Sequence, residues 1–210
     1  MNNMEFRFGR WIEQAIELYK RNFALLAIAG LLQFALSVLS LGILAGPMAA
    51  GLILLVFRLM DDEQPPPEAA DLFQGFRFAL PAFLHVAVWT AILALAYHLL
   101  PTFLWLVLTL SVQIGLAFTL FLIVDRRMDF WPAAMESLRR VKANIFPMMG
   151  IVLTAAILGG VGLLLCGVGV ALTLPLGACL LAIVYRDQFP ARATPPEPQM
   201  MTLNVDSENG

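Results

Sequence analysis

The chain has 210 residues, of which 60% are hydrophobic and only 13% charged, with a formal net charge of −2; an ordinary soluble domain carries about 25% charged residues. No Asp, Glu, Lys or Arg occurs in 22–57, 78–124 or 143–185. Apolar runs of this length read as transmembrane helix, which excludes a secreted disulfide scaffold, a nucleic-acid module and a cytosolic enzyme.

In chain order, residues 1–21 are predicted to form an amphipathic interfacial helix. Phe8, Trp11, Ile12, Ala15 and Tyr19 recur at spacings of three and four, with charged residues between them, a pattern suited to the headgroup layer. Residues 22–189 are predicted to be a six-helix transmembrane domain. A helix rises about 1.5 Å per residue and the hydrocarbon core is about 30 Å thick, so one crossing takes about 20 residues. Each charge-free run is too long for one crossing and fits two. Each is also broken near its middle: by Ser40-Leu41-Gly42 before Gly46-Pro47, by His98 to Thr102 around Pro101, and by Cys166-Gly167-Val168-Gly169. Gly and Pro stop helices and permit tight turns. The expected spans lie near 22–40, 43–60, 80–98, 102–124, 145–165 and 169–185, paired into hairpins 22–60, 80–124 and 145–185.

The linkers 61–79 and 125–144 join the hairpins on one side. The first opens with the acidic, extended run Asp61 to Pro67 and closes with a short apolar edge of Phe73, Phe76 and Leu80. The second repeats the amphipathic theme, with Trp131, Ala134, Met135, Leu138, Val141 and Ile145 on one face and Glu136, Arg139 and Arg140 on another. Residues 190–210 are polar, Pro-containing and nonperiodic, and are expected to be disordered.

All thirteen Lys and Arg fall in the N-terminal segment, in the two linkers or the tail, or at the helix ends that adjoin them, and none in the three turns on the other side. Cations stay on the cytoplasmic face, so both termini are expected in the cytoplasm. Trp11, Tyr19, Trp131 and Tyr185 then fall near the cytoplasmic boundary and Tyr97 and Trp105 near the opposite one, as aromatic belts require. The N-terminus does not read as a cleavable signal peptide, because the apolar stretch after Arg21 is too long.

The spans hold little chemistry. They contain no Asp, Glu or Lys, and Arg58 and Arg186 lie at the cytoplasmic helix ends, where they can snorkel. Buried amides need partners across helices, which singles out Gln33 and Gln113. His85 and His98 sit at opposite ends of one span and cannot share a metal; Cys166 and Cys179 read as free thiols. No nucleophile and base pair, phosphate loop or metal spacing is present, so no enzyme activity, cofactor or metal is expected. Gly42 and Gly46, continued by Ala50, form a GxxxG pattern suited to close helix packing, and Gly159, Gly160 and Gly162 thin the fifth span similarly.

The first and third hairpins repeat one another. Lys20-Arg21-Asn22-Phe23 and Lys142-Ala143-Asn144-Ile145 enter them, Pro47 and Pro175 stand in corresponding places, and Val56-Phe57-Arg58 and Val184-Tyr185-Arg186 close them. Val124-Asp125-Arg126 is a weaker echo. Matched Pro-interrupted helices point to a central site in transporters, although Pro is also tolerated in the first turn of a membrane helix. Gln33, Pro47, Gln113 and Pro175 are the candidate intramembrane site.

Gly46-Pro47 with Gly51 and a closing Arg58, then Asp71-Leu72-Phe73-Gln74-Gly75-Phe76, then Ala134 and Ser137 leading into Val141-Lys142-Ala143-Asn144, form a pattern across most of residues 10–188. It resembles a group of uncharacterised bacterial six-helix inner-membrane proteins, and is similar to the membrane region fused to some glycerophosphodiester phosphodiesterases. The resemblance implies a bacterial cytoplasmic-membrane location and no assigned reaction. No phosphodiesterase domain is expected in this chain, so that activity is not carried over.

The expectation is therefore an all-α polytopic membrane bundle acting as a noncatalytic scaffold or accessory subunit. Phe8, Trp11, Phe73, Phe76, Trp131, Arg139 and Arg140 would engage lipid or a membrane or cytoplasmic protein partner. A homo-oligomer is compatible with this, and nucleic acid is not a partner. The alternative is a small-solute or lipid transporter with a site between the Pro47 and Pro175 helices.

Overall fold

The computed structural model describes residues 2–160, 162 and 168–189. The expected third turn around Cys166 and Gly167, and the 190–210 tail, lie outside the described residues. Among the described residues all regular structure is helical: α1 (Asn2–Arg21), α2 (Phe23–Leu39), α3 (Ala45–Met60), a 3-10 helix (Ala69–Phe78), α4 (Ala79–Leu99), α5 (Thr102–Leu116), α6 (Thr119–Arg126), α7 (Phe130–Ala143), α8 (Ile145–Gly160) and α9 (Val168–Gln188). Three continuous helical segments, Ala69–Leu99, Thr102–Arg126 and Gly169–Gln188, are long and apolar enough to cross a membrane. The number rises to five when each of two sharply bent pairs is taken as one span. The apolar α3, at 16 residues, is shorter.

The bent pairs are α1 with α2, at 90°, and α7 with α8, at 114°. Both elbows turn at an asparagine in the duplicated entry motif. Asn22 (φ −116°, ψ 26°) and Asn144 (φ −141°, ψ 54°) leave helical geometry, and the Asn22 amide donates back to the Leu18 carbonyl at 3.1 Å. Asparagine readily trades helical hydrogen bonds for local ones.

The α1 helix does not spend its aromatic edge on headgroups. Trp11 is 5% exposed and Ala15 is fully buried, packed with Phe8 against the core, and the Tyr19 hydroxyl donates to the Leu172 carbonyl of α9 at 2.7 Å. Amphipathicity identifies which face is apolar, and here that face is covered by α9.

In the segment before α4 the expected apolar edge of Phe73, Phe76 and Leu80 lies on the outside. The segment's buried residues are Leu72 and Gly75, while Phe73 and Phe76 stack on each other facing outward, ring centroids 6.4 Å apart. Backbone meets backbone there: a methyl on Gly51 would overlap the Leu72 carbonyl, and one on Gly75 would overlap the Pro47 carbonyl. Gly46 seats α3 on the Ala82 backbone of α4 in the same way, so the GxxxG pattern serves packing within the chain. Its other member, Gly42, sits in the α2–α3 turn at φ +87°, a conformation glycine adopts without strain.

The fourth expected span is continuous in direction but broken in hydrogen bonding between α5 and α6. The buried Ser137 hydroxyl, offered by α7, donates to the Gly115 carbonyl at 2.8 Å and accepts from the Phe118 N–H at 3.3 Å. The face of α7 that turns inward is Ala133, Ala134, Ser137 and Val141; of the expected apolar face, Ala134 and Val141 are buried while Trp131, Met135 and Ile145 are exposed. At one end of the bundle the three closing motifs converge. Phe57, Phe121 and Tyr185 pack with centroids 5.6–6.1 Å apart, and the Tyr185 hydroxyl donates to Asp125 at 2.7 Å. Arg186 forms a bidentate pair with Asp61 at the end of α3, both bonds 2.6 Å, and lies over the Phe57 ring.

Candidate functional site

A cavity of about 640 Å³ opens at mid-height, within the range of small-molecule sites. Its wall takes Gln33 from α2, Ile53 from α3, His85 and Trp89 from α4, Gln113 from α5, Ala156 from α8 and Leu181 from α9. The lining is dominated by aliphatic residues and glycine, as the charge-free runs require. Thr90, Gln113 and Ala156 are exposed members of that lining and mark its open side. Gln33 and Trp89 each stand ten residues into helices that rise from the charged end, and Gln113 stands eleven residues into one that descends from the other. At 1.5 Å per residue all three lie about 15 Å from their helix starts, a distance of about half the thickness of a bilayer core.

Three polar atoms on this wall are buried without a hydrogen-bond partner: Gln33 Oε1, His85 Nδ1 and Trp89 Nε1. A buried donor or acceptor left unpaired costs about 1–3 kcal/mol, and such groups are normally satisfied. Their gathering on one cavity is the arrangement of a ligand site, an apolar hollow with a few placed polar groups. The ring of Phe130, from α7, stands 6.1 Å from that of His85 and 6.5 Å from that of Trp89.

Toward the charged end lies a second hollow, a cleft of about 900 Å³ lined by polar and apolar groups together. Arg58, Arg77, Arg127 and Arg186 line it beside Asp61, Glu63, Asp125 and Asp129. Arg58 is held by Glu63 at 2.7 Å and Asp71 at 2.6 Å, and Arg186 by Asp61. Arg77 and Arg127 have no such partner among the described residues.

The candidate residues therefore separate. Gln33 and Gln113 both line the cavity. Pro47 and Pro175 do not line it, although α3 and α9 do; Pro47 is buried under Gly75, and Pro175 lies against Gly30 of α2. Of the outward set, Phe73, Phe76 and Trp131 are exposed (Trp131 at 62%), whereas Phe8 and Trp11 pack inside. Arg139 is 79% exposed beside Glu136 at 3.0 Å, and Arg140 lies over the Phe189 ring at 5.1 Å. His85 and Trp89 complete the cavity beyond the sequence candidates, and their position in one helix at i and i+4 was the available signal. Among the described residues no group of three His, Cys, Asp or Glu is placed to hold a metal, and Cys179 is buried. No family model, curated protein or solved structure matches the chain.

Proposed function

We propose that this chain is a six-span membrane protein, built as three hairpins with both termini in the cytoplasm, that binds an amphiphilic or apolar small molecule inside the bilayer. The observation that carries the reading is the mid-height cavity with three unpaired polar atoms on its wall. It favours the lipid- or solute-handling alternative over a purely structural bundle, because close packing would leave neither the space nor the unpaired groups. A bacterial inner membrane is the setting that the family resemblance implies.

Native mass spectrometry of the protein released gently from its own membrane tests this. A stoichiometric small-molecule adduct is expected on the native chain. It is lost when Ala178, a cavity-wall residue of α9, is changed to Phe, and retained when the exposed Leu99 at the opposite end is changed to Phe. An adduct unaffected by Ala178→Phe, or no adduct on the native chain, would overturn the reading.

The scaffold reading keeps one specific support, the outward Phe73, Phe76 and Trp131. A stoichiometric protein partner lost on changing Phe73 and Trp131 to Glu would establish it.

A further inference from the structure

The two hollows are stacked on the same three helices. Along α3 the cavity touches Ile53 and the cleft Phe57; along α4 the cavity touches His85 and the cleft Pro81; along α6 the cavity touches Phe121 and the cleft Val124. Each step is three or four residues, about one helical turn of 5.4 Å. At their boundary Phe121 lines the cavity and Phe57 the cleft, their rings 6.1 Å apart within the aromatic cluster that includes Tyr185. The order from the charged end inward is thus charged cleft, aromatic boundary, apolar cavity, and it matches a molecule with a charged head and long apolar chains.

The cleft also indicates the head. Two of its four arginines, Arg58 and Arg186, are already neutralised by carboxylates of this chain. Arg77 and Arg127 are exposed and, among the described residues, carry neither an ion pair nor a hydrogen bond. Arg127 is held at φ +50°, a left-handed backbone that a non-glycine residue adopts at a cost. Guanidinium groups match phosphate oxygens in a bidentate geometry better than any other side chain.

We infer that cleft and cavity together hold one phospholipid, its phosphate at Arg77 and Arg127 and its acyl chains passing the Phe57–Phe121 boundary into the cavity. The Trp89 N–H, two turns below Pro81, is then available to an ester oxygen. This rests on the cavity being a ligand site, and it adds the chemical class of the ligand and the residues that select it.

The test uses the full chain, stripped of lipid in detergent, with dioleoyl-phosphatidylethanolamine, dioleoyl-phosphatidylglycerol and dioleoylglycerol offered separately at equal concentration. Retention is read by native mass spectrometry. Both phospholipids are expected to be retained about tenfold more than dioleoylglycerol, the worth of one charge-assisted contact. The double variant Arg77→Gln, Arg127→Gln should erase that preference while leaving dioleoylglycerol retention unchanged. Equal retention of all three by the native chain, or an unchanged preference in the double variant, overturns the inference. Ala178→Phe separates the two readings. If it removes all three lipids while the arginine variant changes nothing, only the phospholipid assignment fails. If it removes none, the cavity reading itself fails.

Discussion

Ser137→Ala is the sharpest probe of the bundle's construction. The hydroxyl is fully buried and answers two backbone groups at the α5–α6 break, the Gly115 carbonyl at 2.8 Å and the Phe118 N–H at 3.3 Å. Replacing it with a methyl hydrogen leaves almost no void, so the cost is almost wholly polar. Each buried backbone group left unpaired costs about 1–3 kcal/mol, while single interhelical hydrogen bonds in membrane bundles average about 0.6 and reach about 1.7 kcal/mol. The shorter bond counts in full and the 3.3 Å one in part, giving a loss of roughly 1.5–3 kcal/mol. The assay is equilibrium unfolding by SDS in mixed micelles, followed by circular dichroism. Ser111→Ala serves as the control: Ser111 is exposed and bonds only the Val107 carbonyl of its own helix, so a change within about 0.5 kcal/mol is expected. If Ser137→Ala matches that control, the break is held by something other than this hydroxyl and the account of the α5–α6 junction is wrong.

Gly75→Ala should destabilise by about 1–3 kcal/mol or more in the same assay, because the added methyl meets the Pro47 carbonyl and the Gly51 backbone, neither of which can rotate aside; a neutral result would refute the backbone contact between the 3-10 helix and α3. The Arg186–Asp61 pair is about two-fifths exposed on both sides, so a double-mutant cycle with Arg186→Gln and Asp61→Asn should give a coupling of no more than about 1 kcal/mol that shrinks with added salt. For orientation, a single cysteine placed at Thr102 in a chain lacking Cys166 and Cys179 should react with a membrane-impermeant maleimide from outside the cell; protection there together with labelling from the cytoplasmic side would reverse the topology.

The helices were legible because their causes are local. Charge-free runs, the Pro101 stop and the asparagines after Lys20-Arg21 and Lys142-Ala143 act on their own neighbours, and the helices begin or end beside them. The Val-aromatic-Arg closures were visible as a repeat, but their convergence around Tyr185 and Asp125 depends on how α3, α6 and α9 are arranged in space. Trp11 shows the limit most clearly. A hydrophobic edge on a helix reports that water is excluded without naming what excludes it, and α9 does so here. Gln33 was conspicuous as an amide in an apolar run, but nothing near it in the chain points to His85 and Trp89, which come from another hairpin. The α5–α6 break escaped notice because no proline marks it, and Ser137 looked like an ordinary polar residue on a surface helix.

The turn between α2 and α3 has a consequence for depth. The flanking helices have 17 and 16 residues and so span only about 25 Å each, short of the roughly 30 Å hydrocarbon core. The residues joining them are not polar enough to end the crossing in water: Leu39, Leu41 and Ile43 are 80%, 93% and 60% exposed at the tip. The N–H groups of the turn are nevertheless answered within it, with Gly42 N–H bonded to the Ser37 carbonyl at 2.7 Å, Ile43 N–H to the Ser40 carbonyl at 3.1 Å and Leu44 N–H to the Ser40 hydroxyl at 3.0 Å. Non-helical backbone survives in lipid only when its polar groups are answered internally. On the proposed six-span reading, the first hairpin would therefore end short of a full crossing, its apolar tip among the acyl chains of the far leaflet, with the bilayer thinning over that corner or closing above it.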